Sequence, residues 1–116
     1  MKRIEAIIRS SRFEQVREGL HQNGVDFFTY QEVKGVGHQA SVTEKYRGAE
    51  HQVDHKRMLI TIIVGASKLD RVLNLILQDA QTGQIGDGKI FVSDVEKMVR
   101  IRDGKVDEKA LDVALV

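Results

Sequence analysis

The apolar positions of this chain keep changing their period, and each change marks an element. Residues Arg3–Ile8 alternate, with Ile4, Ala6 and Ile8 on one face and Glu5 and Ile7 on the other. Period two predicts a half-buried strand. Phe13, Val16 and Leu20 follow at i, i+3 and i+7, the apolar stripe of a helix that ends at Asn23-Gly24. Ser11 with Glu14 three residues on reads as a capping box for that helix. Val25–Lys34 is rich in aromatic and β-branched residues and predicts a second strand. Met58–Val64 is a continuous apolar run, which suits a central strand. Ser67 and Asp70 form a second box-like start, and Leu69, Val72, Leu73, Ile76 and Ala80 line one face of a helix over Leu69–Ala80. Lys89–Val95 reads as a fourth strand, and Met98–Arg102 alternates as a short extra one.

The order is strand, helix, strand, long loop, strand, helix, strand. That is the βαββαβ arrangement of a ferredoxin-like α+β sandwich, a four-stranded antiparallel sheet with both helices on one face. The other face is left to bury, and association of copies would bury it. Between Gly35 and about Lys56 no apolar period survives, and polar and charged residues dominate. A loop of that length is unusual inside a compact domain and is commonly functional. Ordering it costs ~1–2 kcal/mol per residue of backbone entropy, so mobility is expected until a ligand or partner offsets that cost. The tail Asp103–Val116 carries Ala110, Leu111, Ala114 and Leu115 at helical spacing, a short helix or a frayed end.

Composition narrows the function classes. The 116 residues, 41% of them hydrophobic, suit one domain with a modest core. With no cysteine, disulfides, thiolate zinc sites and cysteine nucleophiles are excluded. The start Met1-Lys-Arg-Ile-Glu has no secretory apolar region and no run reaches membrane-spanning length, so a cytoplasmic protein is expected. A net charge of +1 with interspersed signs argues against duplex DNA or anionic lipid as partner, and the few aromatics poorly supply a base-stacking platform. No nucleic-acid partner is expected.

The densest chemical signal is Thr82-Gly-Gln-Ile-Gly-Asp-Gly-Lys-Ile-Phe91. Three glycines within six positions let backbone amides converge on an anion, and Lys89 adds a positive charge at the mouth of the following strand. The order helix, loop, strand is the reverse of a Walker P-loop, so a phosphate here would lean on loop amides and lysine. Taken alone, the same residues also describe a tight connection. On a strand, Arg100 and Arg102 would point together, ~7 Å apart, a spacing that suits a polyphosphate. A solvated edge strand is the plainer alternative.

Tyr46-Arg-Gly-Ala-Glu50, the glycine stretch Thr82–Phe91 and Arg100-Ile-Arg102 together closely resemble the PII signal-transduction proteins. Met1-Lys-Arg-Ile-Glu-Ala-Ile-Ile8 and Val33-Lys-Gly-Val-Gly37 match that family's opening and its approach to the large loop. The resemblance runs from Met1 to about Gly104 and agrees in order and spacing. It implies a homotrimer of ferredoxin-like subunits that senses nitrogen, carbon and energy status, binding ATP or ADP in clefts between neighbours. The single domain, residues 1–116, would then carry a T-loop at about 37–55, a B-loop at about 82–89, and a C-loop and tail at about 101–116. By position, Gly86, Asp87, Gly88 and Lys89 would cradle phosphates, with Arg100 and Arg102 in the same cleft. Gly35, Val36, Gly37, His38 and Val64 would line the nucleotide, and Thr29 would approach the adenine across the interface. Gln39 matches the residue that bridges Mg2+ and 2-oxoglutarate. The T-loop, through Tyr46, Arg47, Gly48 and Glu50, would dock on an ammonium transporter or on a nitrogen-metabolism enzyme or regulator. Arg47 matches the residue inserted into the channel pore, so contact with a membrane would be indirect.

The departures from the family pattern carry their own implications. The usual modified tyrosine falls at His51 and the alternative serine at Ala49, so signalling by effector occupancy without nucleotidylation is expected. One residue is missing around 55–57, where many members carry Phe-Leu-Pro-Lys, and Lys56 or Arg57 must stand in for the lysine that meets the keto acid. His38 replaces a common arginine and Ser41 a common glycine.

Two rival readings use the same residues. A small nucleotide-hydrolysing or phosphotransfer enzyme would need an acid to position its nucleophile, for which Asp87 and Glu50 are the candidates. A metal module would use His38, His51 and His55 with Glu50 and Asp54.

Overall fold

The computed structural model describes residues 1–37, 45–46, 49–50 and 53–111, the side chains of Lys45, Tyr46, Ala49, Glu50 and Val53 excepted. His38, Gln39, Arg47, Gly48, His51 and the last five residues lie outside the described residues. So do the expectations resting on them, including loop mobility, the Mg2+ ligand and the histidine metal module.

Six strands and two helices are described: β1 (Lys2–Arg9), α1 (Phe13–Gln22), β2 (Thr29–Gly37), β3 (Lys45–Tyr46), β4 (Ala49–Glu50), β5 (Val53–Val64), α2 (Leu69–Ala80) and β6 (Gly88–Asp94). The main sheet has the order β2-β5-β1-β6 with every neighbour antiparallel. Both crossovers run through a helix. This is the ferredoxin-like α+β fold that the order of elements predicted. β3 and β4 pair with each other in a separate two-stranded ribbon.

Strand parity divides the sheet into two faces. Ile4, Ala6 and Ile8 of β1, and Met58, Ile60, Ile62 and Val64 of β5, are buried under the helices. They meet Phe13, Val16 and Leu20 of α1 and Val72, Ile76 and Ala80 of α2, each at helical spacing. The odd positions form the open face, where Ile7, Leu59 and the half-exposed Phe91 have no layer over them among the described residues.

Several boundaries differ from the expectation, each for a local reason. The second strand starts at Thr29, not Val25. Val25 instead closes the helix, its amide donating to Leu20 O at 2.8 Å, and its side chain joins the core. The aromatic run that suggested a strand packs as a cluster, with Phe13, Phe28 and Tyr30 rings in contact. β5 starts at Val53 and not Met58, because its first residues pair with β2 out to Gly37↔Val53. That polar stem has no apolar face to betray it. Neither capping box forms. Ser10–Arg12 and Ala66–Lys68 are 3-10 turns without a side-chain cap bond, and they lead into α1 and α2. Met98–Arg102 is no strand. It is one arm of a hairpin held by a Val99↔Val106 bridge, with turn residues at 101–103.

Candidate nucleotide-phosphate site

The glycine loop between α2 and β6 is built around one carboxylate. Asp87 Oδ2 accepts the amides of Thr82 (2.8 Å) and Gly83 (2.9 Å), while Oδ1 accepts the Thr82 hydroxyl and Arg9 Nε (2.9 Å). Arg9, reaching from the end of β1, also donates through Nη2 to Ile85 O at 2.8 Å. Gln84 N donates to Thr82 Oγ1 at 3.2 Å. The loop is thereby closed internally and tied to the sheet. The amides of Ile85 and Gly86 form no hydrogen bond among the described residues.

The charges follow from these contacts. Arg9 is neutralised by Asp87. Arg57, its cross-strand neighbour, has no carboxylate partner among the described residues, and neither has Lys89. Arg57 Nη1 reaches only the carbonyl of Lys56, at 3.0 Å. The guanidiniums of Arg9 and Arg57 converge on Gly86, whose φ is +102°. A Cβ there would lie 3.2 Å from Arg9 Nη2 and 3.3 Å from Arg57 Nη2. Lys89 stands on the same open face, opposite Ile7. Two uncompensated cations, two free amides and a glycine without a side chain make a place for an anion.

The Thr82 hydroxyl, then Arg9, then the Thr82 amide hold the Asp87 carboxyl far below the usual carboxylate range, burial opposing them and the Gly83 amide adding to them. Its folded pKa therefore lies below its unfolded value. The stability it contributes is fully present above the ordinary carboxylate value of about 3.9 and is lost as pH falls from there through the folded value. Asp94 beside Lys2, and Asp103 beside Arg100, are lowered in the same direction. We expect the melting temperature to fall below about pH 4. Asp87→Asn should flatten that fall and move the Thr82 and Gly83 amide resonances already at neutral pH. Unchanged loop resonances in the variant would contradict the latch.

The remaining sequence-predicted residues separate into two groups. Gly35, at the stem, lies at the glycine-loop end of the sheet with Arg9 and Arg57, while Thr29 starts β2 paired with Thr61, level with Glu5 and Phe91. Six residues of strand separate Thr29 from Gly35, roughly 20 Å. Thr29, Thr61 and Ile63 line a pocket of about 430 Å³ with Met98, Ala110 and Leu111, so the root of the arginine hairpin packs at the Thr29 end. Val64 is 2% exposed and points into the core, which leaves only its backbone for a ligand; Ile63 is the neighbour on the open face. Val36 is exposed, and Gly37 ends β2. Arg100 is folded onto Asp103 by two bonds, Nε to Oδ1 (3.0 Å) and Nη2 to Oδ2 (2.7 Å). The arginines therefore do not project as a strand pair. Arg102 is exposed at the turn.

Sequence reasoning missed Arg9 as a loop residue. The signal was faint: a lone basic residue closing a strand, far along the chain from the carboxylate it pairs with.

These observations meet known proteins at the same residues. The family model described as Nitrogen regulatory protein P-II matches residues 1–105. The chain is 46% identical over 112 residues to the nitrogen regulatory protein P-II of Pasteurella multocida strain Pm70, covering 96% of this chain and 100% of that protein. The same figures hold for nitrogen regulatory protein P-II 1 of Escherichia coli strain K12 and for the P-II protein of Klebsiella oxytoca. Among the described residues no helix is long and apolar enough to cross a membrane. With its fold, its glycine loop and a family match along nearly its whole length, the chain belongs to the nitrogen regulatory protein P-II family.

Proposed function

We propose that this protein is a nitrogen-status sensor that binds ATP or ADP between the subunits of a homotrimer and passes occupancy to a target through the segment 37–55. The observation that carries the reading is the separation of the two half-sites. The glycine loop with Lys89 leads into β6 and the Thr29 pocket lies on β2, the two edge strands of the sheet, roughly 14 Å apart with β1 and β5 between them. Within one chain the two groups do not meet. A second copy set head to tail brings the Thr29 end of one subunit to the glycine loop of the next, and in a closed ring every cleft is complete. The same packing covers Ile7, Leu59 and Phe91, which have no layer over them among the described residues.

In this reading the amides of Ile85 and Gly86 with Lys89 hold the phosphates, and Arg102 reaches in from the neighbour. Gln39 would carry Mg2+, and 2-oxoglutarate would bind beside it. Arg57, and not Lys56, is the cation for that acid. It lies against Gly86, whereas Lys56 is on the opposite face of the strand, across from Lys34. Tyr46, Arg47, Gly48 and Glu50 would meet the target, an ammonium transporter or a nitrogen-metabolism enzyme or regulator. The enzyme alternative loses its best-placed acid, because both oxygens of Asp87 are committed to the loop.

Sedimentation at micromolar protein should give the mass of three chains, and calorimetry should show nucleotide binding to that species. A stable monomer that binds ATP would remove the inter-subunit cleft.

A further inference from the structure

The stem of the long loop carries a polar group without a partner. His55 lies within β5, across from Gly35, two residues from Arg57 and by strand parity on the same open face. Its Nε2 is closed off from solvent and forms no hydrogen bond among the described residues. Leaving a buried polar nitrogen unmatched is unfavourable, and native structures do so where a missing group completes it. Nothing on the facing strand competes for that group. Gly35 has no side chain, and a Cβ built there would meet nothing within 4 Å.

Among the described residues, the charged groups near this position are few. Arg57 follows on β5, and Arg9 of β1 is paired with Asp87 of the glycine loop. Lys89 lies farther along on β6, and β2 offers Val33, Gly35 and Gly37, none of them charged. Among the described residues the unpaired charge here is the Arg57 cation, which favours an anion as the missing partner.

We infer that His55 is a ligand-binding residue: its Nε2 hydrogen-bonds an anionic oxygen of the ligand held at the glycine loop, beside the Arg57 guanidinium. The inference rests on the reading of that loop as the phosphate site. Two sources supply such an oxygen, the terminal phosphate of a nucleoside triphosphate or the carboxylate of a small dicarboxylic acid bound with it. An imidazole N–H donating to an anionic oxygen is a charge-assisted contact.

The test is calorimetry on the full chain with wild type, His55→Phe and His55→Asn. Titrants are ADP, ATP, and 2-oxoglutarate in the presence of Mg2+ and ATP. His55→Phe should weaken one ligand about three- to tenfold. His55→Asn, which keeps a hydrogen-bond donor, should recover part of that affinity. A loss seen with ATP but not ADP assigns the terminal phosphate, and a loss confined to 2-oxoglutarate assigns the carboxylate. If His55→Phe binds all three with wild-type affinity, His55 is not a ligand residue. In that event a loss of ATP binding in Lys89→Ala shows that the loop reading survives. Should Lys89→Ala also bind ATP normally, the loop reading fails with it.

Discussion

Replacing Gly88 with valine is expected to destabilise this protein more than any other single change in the glycine loop. Gly88 opens β6 and sits beside the β1 backbone, with φ at +100°. A Cβ there would run into the carbonyl oxygen of Ile7 and come within 2.8 Å of its carbonyl carbon. That obstacle is main chain in the middle of a sheet and cannot swing aside as a side chain could. The positive φ adds strain of order 1–3 kcal/mol for a residue with a Cβ, and more for a β-branched one. Together the cost should exceed about 3 kcal/mol, against a total stability of 5–15 kcal/mol typical of domains. Thermal denaturation at fixed protein concentration should show a loss of ~10 °C or more, the fixed concentration being needed if copies associate. Gly83→Ala is the control. Its φ is +83° but no atom lies within 4 Å of a built Cβ, so only the strain remains. If both variants melted alike, the close approach of β1 to the loop would not be limiting.

The fold was legible wherever one face of an element is buried. Ile4, Ala6 and Ile8 declared β1, and Val72, Ile76 and Ala80 declared α2 to the residue, because burial selects side chains at the period of the backbone. It was illegible where the backbone is ordered by pairing alone. The stem at Gly35–Gly37 and Val53–Arg57 buries little, so its ladder left no trace in the apolar pattern. Met98–Arg102 misled in the other direction, with a strand-like alternation in a stretch too short to decide. The Asp103-Gly104 pair just beyond it was the better guide, since such pairs mark turns, and here Asp103 accepts the amide of Lys105 at 3.1 Å.

The site divided along the same line. Glycine density and Lys89 pointed to an anion loop from local sequence. Position within the family brought Asp87 into that loop but could not say what its carboxylate does. The structure gives it Arg9, Thr82 and Gly83. Arg9 and Arg57 come to the loop only through the β1–β5 register, which no local pattern encodes.

The remaining large effect is on nucleotide affinity, and it also tests the shape of the site. Lys89→Ala and Arg102→Ala should each weaken ATP about ten- to hundredfold, because each removes a charge-assisted contact expected to contribute ~1.5–3 kcal/mol. Both side chains are exposed, and neither makes an ion pair among the described residues, so the fold should be kept. Lys56→Ala, a cation of the opposite face, should bind as wild type. The decisive measurement mixes the two deficient chains and lets them reassemble. If Lys89 and Arg102 act in one cleft from two neighbours, a mixed ring contains a cleft formed by the intact Lys89 of one chain and the intact Arg102 of the next. That cleft should bind ATP with wild-type affinity, at a stoichiometry of about one per mixed ring under closed-ring symmetry. Were both residues to serve a site within a single chain, every site would carry one defect and mixing would restore nothing. Recovery of tight binding on mixing therefore reports directly that the nucleotide is held between chains.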